Sequence, residues 1–193
     1  MFFGSSRIRA TDERLMHFVK KGNDEAFEIL YARYARQLLH YFYRMLNGNE
    51  ALAQDFLQEL FLKLIQRCDS FDESQSFKTW LYSIAYNMCK NEYRRQTVRK
   101  NYLQSANEPN DYNALASEES LDRQYFKKQL MSGLEQLSDE QRATFLLRFQ
   151  EELTIPQISA IMNCPAGTVK SRLFYACNKL AELLKEFNPE GEG

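Results

Sequence analysis

The stretch TIPQISAIMNCPAGTVKSRLFYACNKL, residues 154–180, decides the fold. Thr154 and Gln157 have capping-box spacing, and Pro156 is tolerated in a first helical turn. Asn163 can take the left-handed conformation that ends one helix, and Pro165 suits the first position of the next. A short helix, a tight turn at Asn163 and Cys164, and a longer helix make helix-turn-helix spacing. The longer helix is expected from about residue 165 to 187, with an apolar seam of Val169, Leu173, Ala176, Leu180, Leu183 or Leu184, and Phe187. Opposite that seam Thr168, Ser171, Arg172, Tyr175 and Lys179 share a face, with Lys170 beside them. Such a face suits a major groove, where Arg grips guanine and Lys and Ser hold phosphate.

The first turn of that helix carries Ala166, Gly167 and Thr168, where Asp or Glu would favour the helix dipole. A nucleic-acid phosphate could supply the missing negative charge, and Ala166 and Gly167 keep the helix start slim enough for backbone amides to approach it. The plainer alternative is a helical hairpin with a solvated basic face, Gly167 serving only helix packing.

Working upstream, Ser138 with Gln141 forms a second capping box. Before it, Leu121, Phe126, Leu130, Leu134 and Leu137 give a helical face that Gly133 weakens. Residues 101–120 lose periodicity and gather Asn, Ser, Glu and Pro, which reads as a flexible linker. Beyond it lie three more helical patterns. Phe27, Leu30, Tyr31, Tyr34, Leu38, Phe42, Met45 and Leu46 follow the capping residues Asn23, Asp24 and Glu25 and precede Asn47-Gly48. Phe56, Leu57, Leu60, Phe61 and Leu64 mark a second helix, and Trp80, Leu81, Ile84, Ala85 and Met88 face inward from a third that starts near Phe77. The expected fold is all-α, with two small helical domains at 11–100 and 121–187.

Composition narrows the classes. The chain has 193 residues, 44% hydrophobic and 26% charged, as in ordinary globular proteins. Charges interrupt its longest apolar region, and MFFGSSRIRA has too short an apolar core for a signal peptide, so a cytoplasmic protein without membrane insertion is expected. Cys68, Cys89, Cys164 and Cys177 form no CxxC pair, and His17 and His40 lie far from them in sequence, so no metal site is expected. Without a phosphate loop or a nucleophile-base arrangement, neither enzyme activity, a cofactor nor a small-molecule substrate is expected.

The net charge of -1 conceals segregation. Between Ser74 and Asn107 Glu92 stands alone against Lys78, Lys90, Arg94, Arg95, Arg99 and Lys100, and between Leu153 and Ala181 there is no acid. Acids crowd into 108–122 instead. In the first basic block Tyr82, Tyr86, Lys90 and Arg94 recur at four-residue steps, with Asn87, Asn91 and Arg95 adjacent. Rings and cations interleaved on an exposed side suit unpaired bases, which stack while cations hold the backbone. A solvated helix whose tyrosines pack on a neighbour is the alternative. On the preceding helix Asp55, Gln58, Glu59, Leu62 and Gln66 lie opposite the apolar face, an acidic stripe around an exposed leucine that either meets a partner protein or is simply solvated.

In this order the motifs resemble a bacterial sigma factor of the extracytoplasmic-function group. DEAFEILYARYARQLLHYFYRML resembles the opening helix of region 2, AQDFLQELFLKL its polymerase-binding helix, FKTWLYSIAYNMCKNEYRR its promoter-melting segment, and LTIPQISAIMNCPAGTVKSRL the region 4 helix-turn-helix. The resemblance implies core RNA polymerase, promoter DNA and an anti-sigma factor as partners. It implies polymerase contacts from Asp55, Gln58, Glu59 and Leu62, and minus-ten contacts from Lys78, Tyr82, Tyr86, Asn87, Lys90, Asn91, Arg94 and Arg95, with a base flipped near Asn87 and the FDESQSF loop. It also implies minus-35 contacts from Gly167, Thr168, Lys170, Ser171, Arg172, Tyr175 and Lys179. The chain departs from the family's frequent Leu-Gly turn at Met162-Asn163 and from its Arg-Ala-Arg pattern at Tyr175, Ala176 and Cys177. A LuxR-type helix-turn-helix regulator is the alternative, since TVKSRL also resembles its output domain.

Overall fold

In the computed structural model, which describes residues 10–102 and 121–185, eight α-helices and no strand occur among the described residues. Helix α1 (Asp12–Lys20) starts where the Thr11 side chain accepts from the Arg14 amide. On this helix Leu15 and Met16 are fully buried. Helix α2 (Asp24–Met45) is capped by Asn23, and α3 (Glu50–Gln66) by Asn49. Between them Asn47 and Gly48 both take positive φ, 54° and 75°, the left-handed backbone that Asn and Gly tolerate best. A 3-10 turn, Cys68–Ser70, leads to α4 (Phe77–Tyr102), whose 26 residues extend into the segment expected to be linker. The rest of that segment, with most of the acidic connector, lies outside the described residues, as does Phe187.

Helices α1–α4 close around Leu30, Leu38, Phe42, Leu60, Leu64, Phe77 and Leu81, all fully buried. Aromatic rings meet edge-on in this core, Phe42 on Phe56 at 5.5 Å and Tyr41 on Tyr82 at 5.5 Å. Each such pair adds about 0.5–1.5 kcal/mol beyond its area burial.

The second group begins with α5 (Leu121–Glu135) and α6 (Asp139–Phe145), the latter opened by the full Ser138–Gln141 capping box. Its last turn loosens into a π-helical turn, Leu146–Gln150, which the apolar pattern did not announce. The second capping box, Thr154 with Gln157, starts α7 (Ile155–Met162), and Asn163 ends it in the left-handed conformation. Helix α8 (Ala166–Leu183) follows directly, with Pro165 at the cap rather than inside the first turn. Gly133 has a packing reason: a Cβ there would stand 2.9 Å from the buried Leu180 side chain, so the bare backbone lets α5 cross α8 closely.

The two groups touch. Helix α4 lies against α7, and α2 and α4 both approach α6.

Candidate nucleic-acid interface

At the start of α8 nothing competes for an anion. Pro165 offers no side-chain cap, the first turn has no acid, and Ala166 and Gly167 are exposed. A Cβ on Gly167 would meet nothing within 4 Å, so helix packing does not require glycine there. That removes the packing explanation for this glycine.

Val169, Ala176 and Leu180 form the buried seam as expected, and Lys170, Ser171, Tyr175 and Lys179 are exposed. Thr168 and Arg172 are half-buried. Ser171 donates back to the Gly167 carbonyl at 3.1 Å, and Lys179 is engaged by the Gln136 carbonyl. Arg172 reaches the Cys164 sulfur at 3.6 Å, which holds its guanidinium near the turn. Phe174, missing from the expected face, is 61% exposed and pairs edge-on with Tyr175.

On α4 the structure corrects the expected exposed stripe. Asn87, Lys90, Asn91, Arg94 and Arg95 are exposed, but Tyr82 is fully buried and Tyr86 is 5% exposed. The reason is helical geometry. At 3.6 residues per turn each four-residue step rotates about 40°, so a stripe from 82 to 94 winds about a third of the way round the helix. Its early members face the core and the second domain, and its late members face water. Tyr82 packs edge-on against Tyr41 and donates its hydroxyl to the Glu151 carboxylate, while Lys78 donates to the Glu151 carbonyl at 2.7 Å. Burial pushes the Tyr86 phenol up, Glu140 adds to the rise, and the charge of Arg172 opposes it. Below these residues an open cleft of about 690 Å³ has Lys90, Arg94 and Tyr93 on one side and Asp139 and Glu140 on the other.

The FDESQSF loop is organised by Asp72. Its carboxylate accepts from the Ser74 amide at 2.9 Å and the Ser74 hydroxyl at 2.8 Å, and these bonds hold its pKa below the usual aspartate range. Phe71 and Phe77 anchor the loop in the core, leaving residues 72–76 exposed.

On α3 the expected face is open: Asp55, Gln58, Glu59 and Gln66 are exposed, and Leu62 is 58% exposed. Ile65, at 47%, extends the apolar centre of this stripe and escaped the sequence reading. Lys63 holds Glu59 at 2.5 Å one turn away.

Sequence patterning also missed two charged residues. Glu151 and Arg142 are 2% and 3% exposed. Neither falls in a motif.

Comparison with known proteins supplies the context. Residues 30–99 match the family described as Sigma-70 region 2, and residues 127–180 match Sigma-70, region 4. The chain is 30% identical over 182 residues to the RNA polymerase sigma-H factor of Pseudomonas aeruginosa, covering 90% of this chain and 94% of the relative. It is 32% identical to the ECF RNA polymerase sigma-E factor of Escherichia coli K12, covering 86% and 90%. Among solved structures it resembles the sigma factor RpoE of Bartonella quintana, in complex with the anti-sigma factor NepR, at 28% identity and a TM-score of 0.71, covering 82% of this chain and 96% of that one.

Proposed function

This chain belongs to the sigma-70 family of RNA polymerase sigma factors, in its extracytoplasmic-function group, and on that premise we propose how its surfaces share the work. It is a transcription initiation factor that directs RNA polymerase to promoters. A LuxR-type regulator is not supported, because residues 30–99 match region 2 of sigma factors.

In our reading the domain of residues 11–100 binds core polymerase through Asp55, Gln58, Glu59 and Leu62. Leu62 is the apolar anchor, Asp55 and Glu59 are the charged rim, and the exposed Ile65 extends the anchor. The same domain captures the unpaired minus-ten strand on α4. Asn87, Lys90, Asn91, Arg94 and Arg95 are at hand for this, with Lys78 and Tyr86 becoming available only when the second domain moves, and Tyr82 set in the core against Tyr41. The domain of residues 121–187, beyond a connector at 101–120, reads the minus-35 duplex with α8. Gly167 lets backbone amides reach phosphate, and Thr168, Lys170, Ser171, Arg172, Tyr175 and Lys179 line the groove face.

The observation that carries this reading is the uncapped, acid-free α8 start with open space around Gly167, joined in one chain to a region 2 domain. No helix among the described residues is long and apolar enough to cross a membrane, and we place the protein in the cytoplasm with its polymerase and DNA. An anti-sigma factor, as in the RpoE complex with NepR, completes the partners. The role proposed for these surfaces is binding, as the family assignment supports.

The test is capture of minus-ten oligonucleotides by the full chain bound to core polymerase. Single strands should bind more tightly than the matching duplex. Equal affinities would contradict the melting role of α4.

A further inference from the structure

Helix α1 grips the exposed loop that leads into α4. Its residues Glu13, His17 and Lys20 stand at steps of four and three, on one side of the helix, while Leu15, Met16 and Val19 fill the core. The three meet different parts of the loop, in reverse chain order. Lys20 donates to the Phe71 carbonyl at 2.6 Å, and its ammonium lies 5.8 Å from the centre of the Phe71 ring. His17 Nδ1 is 2.9 Å from a Glu73 carboxylate oxygen, and Lys20 reaches the same oxygen at 3.5 Å. The His17 hydrogen bond, with the Lys20 charge beside it, holds the Glu73 carboxyl below its usual range. Glu13 accepts from the Phe77 amide at 3.1 Å. That amide is one of the first four of α4, which have no partner inside the helix, and the Ser76 hydroxyl takes another by accepting from Thr79 at 3.3 Å.

Helix α1 is itself fixed. Asp12 pairs with Arg33 at 2.5 Å and accepts from the Tyr34 hydroxyl, both on α2. The loop is thereby tied to the centre of the domain through a helix that precedes the segment matching region 2.

These ties exceed what a connection between helices requires. Phe71 and Phe77 already anchor both ends in the core, and surface connections are ordinarily the mobile parts of a domain. Residues 72–76 are exposed, yet Asp72 is engaged by Ser74 and Gln75, and Glu73 by α1. The charge of the loop is informative as well. Asp69, Asp72 and Glu73 repel phosphate, so what the loop can meet of a nucleotide is a base edge, where amino groups donate to acceptors. An ordered, exposed, acidic loop at the head of the helix that takes the unpaired strand has its geometry set in advance, as recognition elements do.

We propose that α1 is a brace for this loop: Glu13, His17 and Lys20 are positioning residues that hold residues 72–76 in place and so sharpen the base preference of the minus-ten element, acting through the loop rather than on DNA. This rests on the minus-ten reading of α4 given above, but the brace itself is measured without DNA.

Three variants of the full chain test it. His17→Ala with Lys20→Met removes the ties to the start and middle of the loop, while methionine keeps an apolar stem over Phe71. Lys20→Arg keeps the donor and is the control. Glu13→Ala loosens the other end and is read in place of the first variant if that one loses helical content. The first readout is amide hydrogen exchange of the free chain. Exchange at residues 72–77 should quicken about two- to fivefold, the effect of losing half-exposed ion pairs, with the amides of α2 and α3 unchanged and Lys20→Arg like the wild type. The second readout is the affinity of the chain bound to core polymerase for single-stranded minus-ten oligonucleotides changed one base at a time. Preference at one position should flatten by a similar factor of about two to five, and affinity for disfavoured sequences should hold. Unchanged exchange in the loop, or faster exchange throughout α2 and α3, overturns the brace. A loosened loop with an unchanged preference profile, or with affinity lowered equally for every sequence, overturns the positioning role. Wild-type chain that binds duplex as tightly as single strands contradicts the minus-ten reading instead, and the exchange result still reports on α1 by itself.

Discussion

Lys78 donates from Nζ to the backbone carbonyl of Glu151 at 2.7 Å, and so a cation assigned to the minus-ten strand is already held by the other domain. Lys90, three turns along α4, is exposed instead. For single-stranded DNA each phosphate contact contributes about 0.7 to the slope of log affinity against log salt. Lys90→Ala should lower that slope by about this amount in the free chain. Lys78→Ala should lower it only in the complex with polymerase. Salt titrations of both variants in both states check this, and equal slopes for Lys78→Ala and Lys90→Ala in the free chain would contradict it.

Arg172 and Lys170 separate base reading from phosphate holding. Arg172→Ala should cost about 1–3 kcal/mol of duplex affinity and relax preference at one upstream base pair, if the guanidinium leaves Cys164 to grip a guanine. Lys170→Ala should weaken all sequences alike. Lys179 is a poorer probe of phosphate contact, because it also ties α8 to Gln136. Binding curves over a panel of single-base minus-35 changes distinguish the two outcomes.

The exposed stripe of α3 predicts a loss of assembly without a loss of fold. Asp55→Arg with Glu59→Arg should abolish tight binding to core polymerase while leaving helical content unchanged, since both residues are exposed and surface substitutions usually stay within about 0.5 kcal/mol. Leu62→Ala should weaken assembly by about 2 kcal/mol if it anchors the contact. Affinity for core polymerase alongside circular dichroism makes the measurement; a folded double variant with unchanged affinity would make this face merely solvated.

Much of this architecture was legible because it depends on local chemistry. Asn23, Ser138 and Thr154 cap helices where their side chains can reach the amides of the first turn. Asn163 ends α7 because Asn tolerates left-handed backbone. Exposure on α3 followed from its apolar period. What escaped the sequence was nonlocal. Tyr82 and Tyr86 read as exposed aromatics because their stripe was followed by spacing alone, whereas their burial depends on Tyr41 and on a domain joined through a distant segment. Glu151 and Arg142 were illegible for the same reason: their partners lie 69 and 97 residues away. The full burial of Leu15 and Met16 on helix α1 likewise depends on packing against α2.

Glu151 also predicts a pH dependence. Burial pushes its carboxyl above the usual glutamate range, and Tyr82, Gln150, Lys78 and Arg44 pull it back in part. The folded state therefore keeps the proton longer than the unfolded chain does. Its contribution to stability is fullest below the ordinary glutamate value and is lost as pH rises through the raised one. Asp139 and Glu135 are raised as well, so the slope of the wild type alone is shared. Urea midpoints of wild type and Glu151→Gln across this range isolate the contribution of Glu151: the wild type should lose stability relative to the variant as pH rises. Parallel profiles would mean that Glu151 is not desolvated in the folded chain.

Promoter-directed transcription tests the central claim most directly. The purified chain, added to core RNA polymerase on a promoter library, should yield transcripts that start at a defined distance downstream of paired minus-35 and minus-ten elements, and none should appear with core polymerase alone. Binding of the chain to duplex DNA with no polymerase-dependent transcript from any member of the library would contradict the account.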